Sequence, residues 1–121
     1  MFPPLFQTCA ADSAVQSLLG TNPTRLWPFG EADPNPTYPY AVWQIISGSP
    51  QNYLGQTPDA DFFGLQIDTY AKTADDARAV GHALRSAIEP VAYVTAYIGE
   101  FRDTITRTYR YSFSVDWIIH R

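Results

Sequence analysis

The run TITRTYRYSFSVDWII, residues Thr104–Ile119, is the part of the sequence that decides the fold. From Tyr109 to Trp117 apolar and polar residues alternate without a break, and most of them are β-branched, aromatic or small and hydroxylated. An alternation with a period of two in such residues predicts a β-strand with one buried face and one solvated face. The run is longer than the usual strand of about 5–6 residues, so we expect it to organise the whole sheet.

The length of the chain, 121 residues, predicts a single domain over residues 1–121. A hydrophobic content of 45% and a charged content of 17% are typical of a globular protein with its own core. The lone Cys9 excludes an internal disulfide, which favours a reducing cytoplasm. No apolar run reaches the roughly 18 residues of a membrane span, and the N-terminus lacks the pattern of a signal peptide.

The charge balance argues against a protein that grips nucleic acid. The chain carries eight Lys and Arg against twelve Asp and Glu, which makes its net charge −4 and its pI about 4.8. Domains that bind DNA through its phosphates cluster basic residues and have a pI above about 9. Lys72 is the only lysine here. The binding of DNA phosphates or of an anionic membrane surface is therefore disfavoured.

Two segments have the residue pattern of helices. In the first, residues 3–10 suit one or two helical turns, and Asp12 is a predicted N-cap for residues 13–19, which end at Gly20. The second begins at Thr73 and ends before Pro90, with two aspartates in its first turn where the helix dipole favours anions. Its apolar stripe predicts the side that packs on a sheet, and consists of Ala77, Val80, Gly81, Leu84, Ala87 and Ile88.

Strand patterns and turn residues divide the remaining sequence. Proline-rich Glu31–Pro39 and turn-rich Gly48–Asp61 are predicted loops, and Arg102-Asp103 a predicted turn. The predicted order α-β-β-β-α-β-β indicates an α+β fold, an antiparallel-rich mixed sheet of about 4–5 strands with two helical segments on one face. Besides the C-terminal run, the predicted strands are Thr24–Phe29, Tyr40–Ser47, Phe63–Tyr70 and Ala92–Phe101.

Residues able to carry catalysis or to bind a metal are scarce. His82 falls on the polar side of the second helix and His120 is next to last, so we interpret both as solvated. The sequence has no His-x-x-x-His, no cysteine pair and no Gly-x-Ser-x-Gly elbow. Asp59 and Asp61 lack the central glycine and the later glutamate of a calcium loop. We predict no catalytic site, no metal site and no cofactor.

Asp68 and Asp116 lie on the polar sides of two predicted strands. If the strands placed these carboxylates opposite each other, the pair could take part in acid–base chemistry. The more common arrangement is a solvated strand face on which an arginine pairs with them, with Arg107 and Arg110 as the candidates. The pattern alone does not support an enzyme.

Aromatic residues make up 15% of the chain, and several fall outside the predicted core. Tyr and Trp at such positions are enriched at subunit contacts because they bury a large area at a small entropic cost. The strand Tyr40–Ser47 is also apolar on both faces, which indicates cover from its own fold or from a neighbouring subunit. We therefore favour an oligomer over a monomer. The aromatic residues concerned are Trp27, Tyr38, Tyr53, Tyr93 and Tyr97.

Short segments from residue 12 to residue 117 occur in an order and spacing that suggest a family. They are Asp12-Ser13-Ala14-Val15, Leu18-Leu19-Gly20, Arg25-Leu26-Trp27-Pro28, Tyr38-Pro39-Tyr40-Ala41-Val42, Gln66-Ile67-Asp68, Asp76-Ala77-Arg78, Leu84-Arg85-Ser86-Ala87-Ile88 and Tyr111-Ser112-Phe113-Ser114-Val115-Asp116-Trp117. In this order and spacing the chain resembles the tail-completion, or tail-terminator, family of tailed bacteriophages.

The resemblance implies a structural protein of the virion, assembled in the cytoplasm of the host bacterium. Proteins of that family form a ring, commonly of six copies, at the head-proximal end of the tail tube. The ring stops polymerisation of the tube and joins the tail to the neck or connector. Its implied partners are further copies of itself, the tail tube protein and the neck protein, while genomic DNA passes through without sequence-specific binding. No membrane is involved.

If the chain forms such a ring, particular residues are expected at its surfaces. We expect Asp68, Arg110 and Asp116 to face the lumen, because an acidic lumen repels the phosphates of DNA. We also expect the loop Gly48–Asp61 to meet the tube or the next subunit. The residues expected at that interface are Trp27, Tyr53, Leu54, Asp59 and Asp61.

Two other functions remain open from the sequence. One is a head–tail joining protein of the neck, which shares the ring but caps the portal side. The other, from a different class, is a small α+β ligand-binding or enzymatic domain with a pocket between helices and sheet. A monomer whose melting temperature rises with a small molecule would favour the latter, because a ligand that binds only the native state stabilises it.

Overall fold

The computed structural model describes residues 3–21, 23–52 and 54–121, and its elements follow the predicted order. The predicted α+β fold is confirmed, with the N-terminal helical segment formed by two short helices. The helices are α1 (Leu5–Ala10), α2 (Ser13–Leu19) and α3 (Ala74–Ile88). The strands are β1 (Leu26–Pro28), β2 (Tyr40–Pro50), β3 (Ala60–Ala71), β4 (Tyr93–Asp103) and β5 (Thr108–His120).

One five-stranded sheet has the order β1-β2-β3-β5-β4. The short β1 pairs parallel with β2, and every other pairing is antiparallel. Strand β5 pairs with β3 from Tyr109 to His120 and with β4 from Thr108 to Asp116, which is the organising position that its alternation predicts. Its odd-numbered residues face the helices and are buried: Tyr111, Phe113, Val115, Trp117 and Ile119.

Helix α3 lies on one face of the sheet, against β3 and β5. Its predicted apolar stripe is confirmed, because Ala77, Val80, Gly81, Leu84 and Ile88 are buried and Ala87 packs against the core. A further hydrogen bond ties helix to sheet, since the Thr69 hydroxyl donates to the Ala77 carbonyl at 2.9 Å. The two short helices pack on α3 in turn, so that all three helices lie on one side of the sheet.

The predicted helix ends are also confirmed. The Asp12 carboxylate accepts hydrogen bonds from the N–H groups of Ala14 and Val15, at 2.9 and 3.1 Å. The Thr73 hydroxyl accepts one from the Asp76 N–H at 3.1 Å and so caps α3. Gly20 ends α2 at a φ of 79°, a backbone conformation that residues with a Cβ rarely adopt.

Two predicted boundaries were wrong. The turn between the last two strands comprises residues 104–107, whereas the first residues of the quoted run were predicted as strand. The Asp103 carboxylate accepts hydrogen bonds from the N–H groups of Ile105 and Thr106, and Arg107 has a φ of 58°. Asp103 thus ends β4 as a turn-forming side chain, and the sheet resumes only at Thr108.

The second error is in the predicted loop Gly48–Asp61, because strand pairing continues into both of its ends. Gly48, Ser49 and Pro50 extend β2, opposite Phe63, Phe62 and Asp61 of β3. A Cβ added to Gly48 would lie 3.3 Å from the Phe63 ring, so the glycine gives that ring room within the strand pair. The connecting loop is therefore only residues 51–59, and the two strands form a long hairpin.

Candidate assembly surfaces

Among the described residues, no helix packs on the face of the sheet that lies opposite α3, and we call it the uncovered face. The even-numbered residues of β3 and β5 point to it, so Asp68, Arg110 and Asp116 share one face, as their positions in the two strands imply.

Asp68 lies within a hydrogen-bonded polar group on this face. Gln66 Nε2 donates to one oxygen of its carboxylate at 3.2 Å, and the Ser112 hydroxyl donates to the same oxygen. Only 8% of Asp68 is exposed, so the neighbouring side chains cover it even without a partner chain. Its carboxylate is therefore satisfied inside the subunit, while Asp116 on the same face is half-buried.

The register of β3 and β5 rules out a facing pair of carboxylates. Asp68 lies opposite Ser112, whereas Asp116 lies opposite Gly64. The two aspartates are therefore offset along the sheet by roughly 13 Å at the usual rise of a strand. Neither predicted arginine forms a salt bridge with them in the described part of the chain. The hypothesis of an acid–base pair is not supported by this geometry.

Four aromatic rings gather where β1, β2 and β3 meet. Tyr40 stacks on Tyr70 with ring centroids 4.9 Å apart, and Trp27 and Tyr38 approach Tyr40 at 5.9 and 5.3 Å. Burial, with Tyr38 and Tyr70 close by, raises the pKa of Tyr40 to about 12, so its hydroxyl stays protonated. Part of the Trp27 side chain is therefore buried within the subunit, and the rest is exposed at the β1 edge.

The end of the β2–β3 hairpin carries most of the predicted interface residues. Leu54 is fully exposed in the loop, and Asp59 is exposed at its end. Asp61 begins β3 and accepts two hydrogen bonds from the Arg121 guanidinium, at 2.8 and 3.1 Å, which lowers the pKa of Asp61. Tyr53 lies outside the described residues.

None of the described strands pairs with the outer edge of β4. Several large apolar side chains on this strand are exposed, whereas edge strands usually carry charges or prolines that prevent further pairing. Tyr93 and Tyr97, predicted at edge-like positions, both lie here, and Arg85 Nη1 donates to the Tyr97 hydroxyl at 3.2 Å. The exposed side chains of β4 are Tyr93, Tyr97, Ile98 and Phe101.

The two histidines and the cysteine are not in the surroundings that catalytic residues usually have. His82 is exposed and its ring contacts Tyr111 edge-on, and His120 is exposed at the end of β5. Burial raises the pKa of Cys9 to about 12, so this thiol stays protonated and is a poor nucleophile. Across residues 3–21, 23–52 and 54–121, no three His, Cys, Asp or Glu side chains are grouped closely enough to hold a metal ion.

A cleft between α3 and strands β4 and β5 is the place where a ligand-binding domain would hold a small molecule. Its volume is about 270 Å³, just below the usual range of ligand pockets, about 300–1,000 Å³. The ion pair between Arg78 and Glu100, 2.8 Å long, lies in its lining.

None of the helices described is long and apolar enough to cross a membrane.

Comparisons with known proteins point in one direction. A family model described as "Tail completion protein gp17" matches residues 3–120. No curated protein sequence matches the chain. Among solved structures, a chain described as "Virion of native gene transfer agent (GTA) particle" has a similar fold, with a TM-score of 0.70. That similarity covers 97% of this chain and 92% of the other at 12% sequence identity.

Proposed function

Because the chain belongs to the tail completion protein gp17 family, we propose that it forms a ring of six copies at the head-proximal end of a phage tail. There it terminates polymerisation of the tail tube and joins the tail to the neck. The observation that carries the proposal is the family match over residues 3–120, nearly the whole chain. The fold shared with a chain of a gene transfer agent virion is consistent with a structural role in a particle.

The exposed surfaces support contacts between copies. The β4 edge lies at one side of the sheet, and Ile45 and Ile46 of β2 are exposed towards the other side. A ring needs two different surfaces of this kind, because each subunit contacts the next head to tail. The strand β2 was predicted to need cover on both faces, and a neighbouring subunit would cover these isoleucines.

The acidic charge suits a ring through which DNA passes. Each copy carries a net charge of −4, and an assembled ring multiplies that charge around one opening. We propose that the uncovered sheet face, with Asp68, Arg110 and Asp116, is turned towards the lumen. A ring structure with a basic lumen, or with this face on the outside, would contradict the assignment.

The proposed partners follow from the position of the ring. The tail tube protein lies on one side and the neck or connector protein on the other, and genomic DNA slides through without sequence-specific contacts. Such a subunit is assembled in the cytoplasm of the host bacterium and persists in the mature virion. It has no substrate to transform.

Deletion of the gene from its phage tests the terminator role, because tube length is then no longer limited at the head-proximal end. We expect overlong tails by electron microscopy. Tails of normal length that are detached from heads would instead assign the chain to head–tail joining. Electron microscopy of the purified protein tests the ring directly, and a protein that stays monomeric and is absent from mature particles would contradict the whole proposal.

The exposed hairpin loop gives a mutational test of the same proposal. Leu54→Ala is expected to weaken ring assembly by about tenfold or less, because it removes an apolar side chain that only a partner can bury. The folded subunit should keep its melting temperature. Sedimentation velocity over a concentration series measures the assembly.

Val91→Ala is the matched control for Leu54→Ala, since Val91 is also an exposed aliphatic residue but lies between α3 and β4. We expect this control to assemble like the wild type. Normal assembly of Leu54→Ala, together with tails of normal length in the phage, would remove this loop from the interface. The proposed interface residues Trp27, Tyr53, Asp59 and Asp61 can be tested in the same way.

A further inference from the structure

A notch, which we call the β1 notch, lies at the edge of the sheet where β1 ends and β2 continues. Strand β1 pairs with β2 only as far as Trp43, and none of the described strands continues along this edge from Gln44 onward. The space beside the end of β1 has a volume of about 390 Å³ and is open to solvent. Its lining is mainly apolar and consists of Pro28, Phe29, Trp43, Gln44 and Ile45.

The side chains of the β1 notch are incompletely packed in a single copy. Phe29 is 72% exposed and Ile45 is 38% exposed, and exposed apolar groups that lie together mark interaction sites. Nε1 of Trp43 is buried and has no hydrogen-bond acceptor among the described residues, although buried donors are nearly always paired. Both observations indicate a place that a partner completes.

The opposite edge of the sheet carries an aromatic ring at the same height. Tyr97 of β4 is 58% exposed, and its hydroxyl accepts a hydrogen bond from Arg85 of α3, so the ring lies on the helix side of the sheet. In the register, Trp43 lies opposite Ile67 and Ile67 opposite Phe113. Phe113 in turn lies opposite Tyr97. Residues that lie opposite each other point to the same face, so the ring and the β1 notch share one row and one face.

The directions of the strands allow these two edges to meet between copies. The strands β2, β3, β5 and β4 alternate in direction, so β2 and β4 are antiparallel. Copies set side by side in one orientation therefore place β4 of one copy antiparallel to β1 and β2 of the next, with the helix side continuous. The register of β4 with β5 skips Thr95 and Ile98, and such irregularities disturb a further ladder. We therefore expect side chains to make the contact.

We infer that the β1 notch of one copy receives the Tyr97 ring of the next copy. The inference rests on the proposed ring and names one contact within it. Copies at the same height bring Tyr97 beside Pro28, the residue of β1 that lies opposite Trp43, and the ring then covers the exposed apolar side chains of the notch. The hydrogen bond from Arg85 orders the ring before the copies meet, which lowers the entropic cost of the contact. Each subunit offers its notch to one neighbour and its ring to the other, as a heterologous contact requires.

Removal of the aromatic ring tests the contact. Tyr97→Ala is expected to raise the protein concentration for half-assembly by at least about tenfold, because a tyrosine that fills a partner's pocket is typical of the residues that dominate binding. Tyr93→Ala is the matched control, since Tyr93 is also an exposed tyrosine of β4 but lies opposite Asp116, on the uncovered face. The control should stay within about threefold of the wild type. Sedimentation velocity over a concentration series measures both.

Introduced charges test both sides of the contact together. Ile45→Arg and Tyr97→Glu each place an unpaired charge in an apolar contact, so each should raise the concentration for half-assembly by at least about tenfold. In the double variant the two charges face each other, and half-assembly should need at least about threefold less protein than in either single variant. Ile118→Arg is the control, because Ile118 is 41% exposed but lies on the uncovered face, and it should assemble like the wild type.

Cysteine cross-linking identifies the neighbour of Tyr97. Cys9 is the only cysteine of the chain and is buried, so introduced thiols react without interference. Assembled Phe29→Cys/Tyr97→Cys, treated with a short bis-maleimide, should give denatured products larger than a dimer, because each copy is linked to two neighbours. Tyr97→Cys alone should give no cross-linked product. Melting curves of every variant establish folding, and if Ile45→Arg melts early, Phe29→Arg takes its place in the charge comparison.

The outcomes separate this inference from the proposed function. A wild type that never assembles and is absent from particles contradicts both. A wild type that assembles, together with a Tyr97→Ala variant that assembles equally well, contradicts only the notch contact. A folded double charge variant that assembles no better than the single variants contradicts it too. The contact is also overturned if Tyr97→Cys alone is cross-linked into dimers, because β4 then meets β4 of a second copy around a two-fold axis.

Discussion

Replacing Phe113 by alanine is expected to lower the free energy of unfolding by about 3–5 kcal/mol, the usual cost of removing a buried aromatic ring. Phe113 is completely buried in β5. It lies opposite Ile67 of β3 and Tyr97 of β4, so the cavity would open at the strand that joins both halves of the sheet. Urea denaturation followed by circular dichroism measures the loss, at a protein concentration below that of assembly, since association stabilises the folded state.

Phe29→Ala is the matched control for Phe113→Ala. Phe29 is 72% exposed just after β1, so the same change there should alter the free energy of unfolding by no more than about 0.5 kcal/mol. A loss below about 1 kcal/mol for Phe113→Ala would contradict the packing of β5 described above. Similar losses for the two variants would show that the effect does not come from burial.

The position of Phe113 could be predicted because it depends on the sequence of one strand alone. The alternation from Tyr109 to Trp117 places every second residue on one face, and an apolar face of this length needs cover. The same holds for α3, where the cap at Thr73 and the spacing of the apolar residues are local signals. Local signals therefore predicted the elements, their order and most of the core.

What depends on register could not be predicted in this way. Asp68 and Asp116 looked like a possible pair, but their separation is set by which residue of β3 lies opposite which residue of β5. A cleft lined by Tyr70, Phe101 and Arg110 has the same origin, since it brings together the ends of three strands, and β4 reaches it after two irregularities in its pairing with β5. No spacing along the sequence carries that information.

The misplaced boundaries have a simpler cause. Asp103 did indicate a nearby turn. However, an aspartate can either occupy a turn or accept hydrogen bonds from the turn residues that follow it, and Asp103 does the latter. Gly48 and Pro50 are turn residues by type, yet pairing with β3 holds them in a strand. In both places a contact outside the local sequence decided where the strand ends.

Gly81→Ala is expected to destabilise the subunit, although alanine is the better helix former by about 1 kcal/mol. A Cβ at this position would lie 2.4 Å from Cδ1 of Tyr111 and 2.6 Å from Cε1 of the same ring. The ring cannot move away freely, because it also contacts His82 and Phe113. Relief of the overlap has to push α3 away from β5, and overpacking of this kind costs about 1–3 kcal/mol.

Ser86→Ala is the matched control for Gly81→Ala, because it also introduces an alanine into α3 but at an exposed position. It is expected to leave the free energy of unfolding within about 0.5 kcal/mol of the wild type. In the double variant Gly81→Ala/Tyr111→Val the ring is absent, so the added methyl group should cost less than it does beside tyrosine. Thermal and urea denaturation of the wild type, Gly81→Ala, Tyr111→Val and the double variant measure this coupling. If Gly81→Ala alone proves more stable than the wild type, helix propensity outweighs the contact, and α3 does not need a glycine in order to lie this close to β5.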